Sequence, residues 1–138
     1  MNEAVKRISE RLKELDIHYE LTEEKNGLII SLLSEEIGLS VRYLIDTMKF
    51  EDGTYKLTIF TSELLKVKNE FEVLKVLNDI NWNSSFIHYL VSEKKQVHIK
   101  IDSIDTIDSI ANDAVGLISD VVHSLEENYD KIMKSNWS

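Results

Sequence analysis

The sequence predicts an α+β domain in which helices pack against one antiparallel sheet, in the order α-β-β-β-β-α-β-β-α. Three features predict it. The chain opens and closes on segments whose apolar residues recur every three to four positions, and a third such segment sits in the middle. Most of the stretches between them alternate apolar and polar residues. Two of the breaks in that alternation carry the turn-forming pairs Asn26-Gly27 and Asp52-Gly53.

Val5, Ile8, Leu12 and Leu15 recur at helical spacing with Lys, Arg and Glu between them, giving an amphipathic helix over residues 3 to 15. From Ile17 the period becomes two. Ile17, Tyr19 and Leu21 form one strand, Asn26-Gly27 supplies a hairpin turn, and residues 28 to 33 return. Gly38 opens a third run, which Asp52-Gly53 turns into a fourth, where Tyr55, Leu57 and Ile59 alternate with Lys56 and Thr58.

Asn69 with Glu72 three residues on resembles a capping box, so residues 70 to 82 form the second helix. Its positions Phe71, Val73, Leu74, Val76, Leu77 and Ile80 cover roughly two-thirds of the circumference at about 100° per residue. That helix is expected to be largely buried, with Trp82 anchoring its end in or beside the core. Two β-type runs follow, residues 86 to 91 and 96 to 102, and a long helix from Asp105 to Lys134 closes the chain. No repeat or linker divides it, so residues 1 to 138 form a single α+β domain.

A chain of 138 residues can bury roughly 68% of its unfolded surface, and one core suffices. The net charge of −9 repels a phosphate backbone and an anionic membrane surface, so neither nucleic acid nor membrane is expected as a partner. No apolar run approaches the ~20 residues of a membrane-spanning helix, and the first 16 residues carry no signal-peptide core. With no cysteine in the chain, a cytoplasmic location is expected, and disulfides, thiol nucleophiles and sulfur-bound zinc are excluded.

Candidate chemistry is sparse, and the protein is not expected to be an enzyme or to bind a cofactor. His88 and His98 lie on neighbouring strands, but two histidines fall short of a metal site, and His18 and His123 stand apart. Asp102, Asp105 and Asp108 are expected to cap the last helix, since the calcium loop's glycine and terminal glutamate are missing. Ser84-Ser85 lacks a nucleophile elbow, no glycine-rich loop cradles phosphate, and Asn83-Ser84-Ser85 reads as a chance glycosylation sequon.

The ordered block of helix, polar break, β-hairpin and long terminal helix resembles the YbjN family, whose fold is that of the type III secretion chaperones. Leu74, Leu77, Asn78, Ile80 and Asn81 carry the likeness in the helix, then Phe86, Tyr89 and Leu90, then Val97, Ile99 and Ile101. The chain departs from the family at Ser84-Ser85-Phe86-Ile87, where members often start with a Pro-Phe-Gly-like sequence. It departs again at Glu93-Lys94-Lys95, where members have a glycine-containing turn. The resemblance implies no catalytic residues and a small acidic domain that binds a polypeptide, as the secretion chaperones hold a segment of their cargo and commonly dimerise.

The expected function is therefore a non-enzymatic protein-binding module, chaperone-like or regulatory, with a protein or peptide partner and self-association to a homodimer as an option. The alternative is an acidic inhibitor or immunity protein that covers a basic partner such as a nuclease. The hairpin supplies the candidate surface. Val97, Ile99 and Ile101 face the core, whereas residues 86 to 91 are apolar on both alternations. With a two- or four-residue turn centred on Lys94-Lys95, Ile87, Tyr89 and Val91 face outward as the partner-binding set. A three-residue turn turns out Phe86, His88 and Leu90 instead.

Overall fold

The computed structural model describes residues 1–84 and 86–138. Along the chain run α1 (Glu3–Glu14), β1 (Glu20–Leu21), β2 (Gly27–Ser34), β3 (Leu39–Lys49), β4 (Tyr55–Thr61), β5 (Leu65–Lys66), α2 (Glu70–Trp82), β6 (His88–Val91), β7 (Gln96–Asp105) and α3 (Ile110–Asn136). The expected order is present with one addition, the two-residue β5. All pairings are antiparallel, the strand order is β1-β2-β3-β4-β7-β5, and β6 pairs with β7 off that path.

The core lies between one face of this sheet and the helices. Leu28, Ile30, Tyr43, Ile45, Leu57, Ile59, Ile99 and Ile101 supply the sheet side, and Ile8, Leu12, Leu77, Ile110, Val121 and Leu125 the helix side. The alternation of β4 is complete, buried at every second residue, as expected for a strand with one covered face. α3 packs against both other helices and against β4 and β7.

The Asp52-Gly53 turn forms as expected: Gly53 takes φ +89°, and Phe50 N–H donates to the Thr54 carbonyl at 2.8 Å. The Asn26-Gly27 pair works differently. Lys25, not Gly27, is the left-handed residue of that turn, at φ +59°. Gly27 begins β2, and a Cβ there would lie 2.7 Å from the Ile45 carbonyl oxygen, so the glycine is required by close backbone approach.

Two expected boundaries move. β7 runs on through Asp105, and α3 starts at Ile110 behind Thr106 and Ser109, whose hydroxyls lie 3.0 Å apart. Asp102 and Asp105 are therefore strand residues and not helix caps, because continued pairing with β4 out to Tyr55↔Asp105 holds them extended. Asp108 lies in the turn before α3, 3.7 Å from Arg7. The Asn69 cap is present, its side-chain oxygen accepting from Glu72 N–H at 3.3 Å, while the Glu72 carboxylate turns to Lys75.

The end of α3 ties down the start of α2. Asn136 is buried, accepts from the Lys68 and Asn69 amides at 2.7 and 3.2 Å, and donates to the Lys66 carbonyl at 3.0 Å. One side chain thus satisfies three backbone groups around the α2 N-terminus.

Candidate functional site

The hairpin closes through a three-residue turn. Ser92 N–H donates to the Gln96 carbonyl at 2.9 Å, and Lys95 adopts φ +60°, which lets Glu93-Lys94-Lys95 close the loop. Val91 therefore faces Val97 and Tyr89 faces Ile99. This register corrects the expectation of an open face at Ile87, Tyr89 and Val91. Ile87 and Tyr89 are buried within the chain's own fold, and Val91 is half-buried. Phe86 and His88 are exposed and Leu90 half-buried. Phe86, His88 and Leu90 are the set that a three-residue turn directs outward.

Tyr89 is 3% exposed, and its hydroxyl meets Ser124 of α3 at 2.7 Å. Burial raises its pKa above the ordinary tyrosine value. Its backbone is held from the other side: Asn81 of α2 accepts from Tyr89 N–H and donates to the Tyr89 carbonyl, both at 2.8 Å. Among the described residues β6 pairs with β7 alone, and one amide side chain occupies its outer edge at Tyr89, where the strand would otherwise be free to pair.

α2 departs most from expectation. Val73, Leu77 and Ile80 are buried, but Phe71 is 70%, Leu74 45% and Trp82 86% exposed. At about 100° per residue Phe71, Leu74, Asn78 and Trp82 fall on one stripe, roughly opposite Val73, Leu77 and Ile80. The helix is apolar on two faces, and the fold uses one. Trp82 is an exposed residue and not a core anchor. Beside the open stripe lies a groove of about 450 Å³ whose apolar lining is Phe71, Leu74, Leu77, Tyr89, Leu90 and Val91, with Lys75, Asn78 and Asn81 as its polar part. Lys75 sits over the Phe71 ring at 5.3 Å.

The sheet face away from the helices is mixed. Ile29, Leu44 and Phe60 form a row across β2, β3 and β4 that meets Lys100 on β7; Lys100 lies 3.8 Å from Asp102, which accepts from Thr58 at 2.6 Å and lies 3.9 Å from Lys56. His98 is buried on this face by stacking on Phe60 at 4.9 Å and by a 2.9 Å contact between Nδ1 and the Thr61 carbonyl oxygen, whereas His88 is exposed. Among the described residues no group of three or more His, Cys, Asp or Glu is placed to hold a metal ion. No described helix is long and apolar enough to cross a membrane. The Ser84-Ser85 pair and the sequon include Ser85, which lies outside the described residues.

No family model and no curated protein matches the sequence. Solved structures do match. The chain superposes on YbjN from E. coli, described as a candidate transcription regulator, with a TM-score of 0.56 and 10% identity over 92% of each chain. It matches the Yersinia pestis type III secretion chaperone SycH, solved with a fragment of YscM2, more loosely, with a TM-score of 0.46 and 12% identity over 88% of this chain and 97% of that one. This chain therefore shares the fold of YbjN, as the likeness in its helix and hairpin residues led one to expect.

Proposed function

We propose that this protein is a non-enzymatic, polypeptide-binding module of chaperone or regulatory type, and that the groove between α2 and β6 receives the partner. One observation carries the reading: α2 leaves Phe71, Leu74 and Trp82 open on one stripe, beside the groove, while a full second face of the same helix fills the core. Large apolar side chains grouped in this way mark contact surfaces. Aromatic residues of this kind supply the anchors of protein interfaces.

The plugged edge narrows the mode of binding. With both backbone groups of Tyr89 taken by Asn81, strand addition at that point of β6 has no free donor or acceptor, so side-chain packing in the groove carries the contact. A cytoplasmic partner protein is the occupant this reading favours over a second copy of the chain.

A photo-crosslinking residue at position 74 in the native host, with the exposed β3–β4 turn residue Glu51 as control, tests this. Crosslinks at 74 alone, to a partner whose purified form binds at least about tenfold more weakly to a Phe71→Ser, Trp82→Ser variant of unchanged melting temperature, support the groove. Equal crosslinking at both positions, or unchanged binding by the folded variant, refutes it.

A further inference from the structure

A second concavity opens just before the start of β6. Pairing of β6 with β7 stops at His88↔Lys100, and beyond it lies a cleft of about 370 Å³ walled by Phe86, Ile101 and Leu117. Ile99 N–H points the other way, to Thr61 Oγ1, so alternation turns the Asp102 and Ile104 backbone groups toward the side that β6 has vacated. At the polar end of the cleft stand two carboxyl groups, Asp105 from β7 and Asp113 from α3. Asp105 is 6% exposed, and the donor it receives is its neighbour's hydroxyl, Ser103 Oγ at 2.6 Å.

No lysine or arginine lines this cleft among the described residues. Its third carboxylate, Asp102, is already engaged by Thr58, Lys56 and Lys100 on the outer face of the sheet. Gly116, inside α3, also faces the space. A glycine in a helix interior costs about 1 kcal/mol relative to alanine, and a Cβ at this position would meet nothing within 4 Å. The chain's own packing does not demand glycine here, and a larger side chain would fill the cleft.

We propose that this cleft seats a lysine or arginine side chain of the partner polypeptide, its methylenes against Phe86, Ile101 and Leu117 and its charged head between Asp105 and Asp113. The inference rests on the polypeptide-binding reading and adds the partner's chemistry. Charge complementarity selects this occupant: apolar walls ending in paired carboxyl groups match an aliphatic stem ending in a cation. The net charge of −9 draws such a segment in from a distance. Burial and the facing Asp113 push the Asp105 carboxyl up to about 6, the behaviour of an acid pair that lacks a counterion.

The test uses the full chain and two heptapeptides, acetyl-Val-Lys-Val-Lys-Val-Lys-Val-amide and its glutamine counterpart, followed by amide chemical shifts at physiological salt. The lysine peptide should shift residues 102 to 105 and 112 to 117 and bind about tenfold more tightly than the glutamine peptide, the size of one well-placed charge-assisted contact. An Asp105→Asn, Asp113→Asn variant should lose that preference. Gly116→Leu, which fills the cleft while favouring helix, should abolish the cleft shifts without lowering the melting temperature.

Equal affinity for the two peptides, no shift at millimolar lysine peptide, or full affinity in either variant overturns the proposal. Shifts confined to Phe71, Leu74 and Asn78 with no charge preference would overturn the cleft while leaving the α2–β6 groove standing.

Discussion

Asn81→Ala removes the one side chain that serves both backbone groups of Tyr89. Each hydrogen bond contributes about 0.5–1.5 kcal/mol net, and a buried group left without a partner costs about 1–3 kcal/mol. The contact is only part-buried, so water can reach some of what is exposed, and alanine gains up to about 0.7 kcal/mol of helix propensity. The expected loss is therefore about 2–3 kcal/mol. Urea unfolding should show it as a lower midpoint with unchanged slope. Hydrogen exchange localises it: the Tyr89 amide should lose protection, while the Ile99 amide, held by Thr61 Oγ1, keeps its own. A loss under about 0.5 kcal/mol with the Tyr89 amide still protected would show that Asn81 does not secure this edge.

Leu77→Ala should cost about 2–5 kcal/mol in chemical unfolding, because Leu77 lies in the buried face of α2. Trp82→Ala should change stability by less than about 0.5 kcal/mol, since its ring faces solvent, and should remove the partner-dependent shift of the Trp82 indole while leaving the Trp137 signal in place. Asp105→Asn carries a pH signature. The folded pKa of about 6 lies above the ordinary 3.8, so the fold binds the proton more tightly than the unfolded chain. The resulting stabilisation is complete below about pH 4 and is lost as pH rises through 6. Asparagine should therefore make the protein about 1–2 kcal/mol more stable at pH 7.5, after allowance for solvent screening, and leave it level with the parent near pH 4. Urea midpoints at the two pH values measure this.

Local rules in the sequence determined most of the elements. Period-two alternation places Tyr55, Leu57 and Ile59 inward, and helical spacing marks α1 and the stripe of α3, because those patterns are properties of neighbours along the chain. Asn81 was also legible as one of the residues carrying the family likeness, though not in its role, since its partner lies eight residues on and across a turn. Tertiary structure decided the site. Whether the hairpin turn held two, three or four residues depended on Lys95 accepting a left-handed backbone, and that single choice moved Tyr89 from surface to core. The apolar positions of α2 read alike in sequence, and only the direction from which β6 and α3 approach separates the buried Val73, Leu77 and Ile80 from the open Phe71, Leu74 and Trp82. Asp105 likewise reads as a helix cap until pairing with β4 extends β7 to reach it, which brings its carboxyl face to face with Asp113.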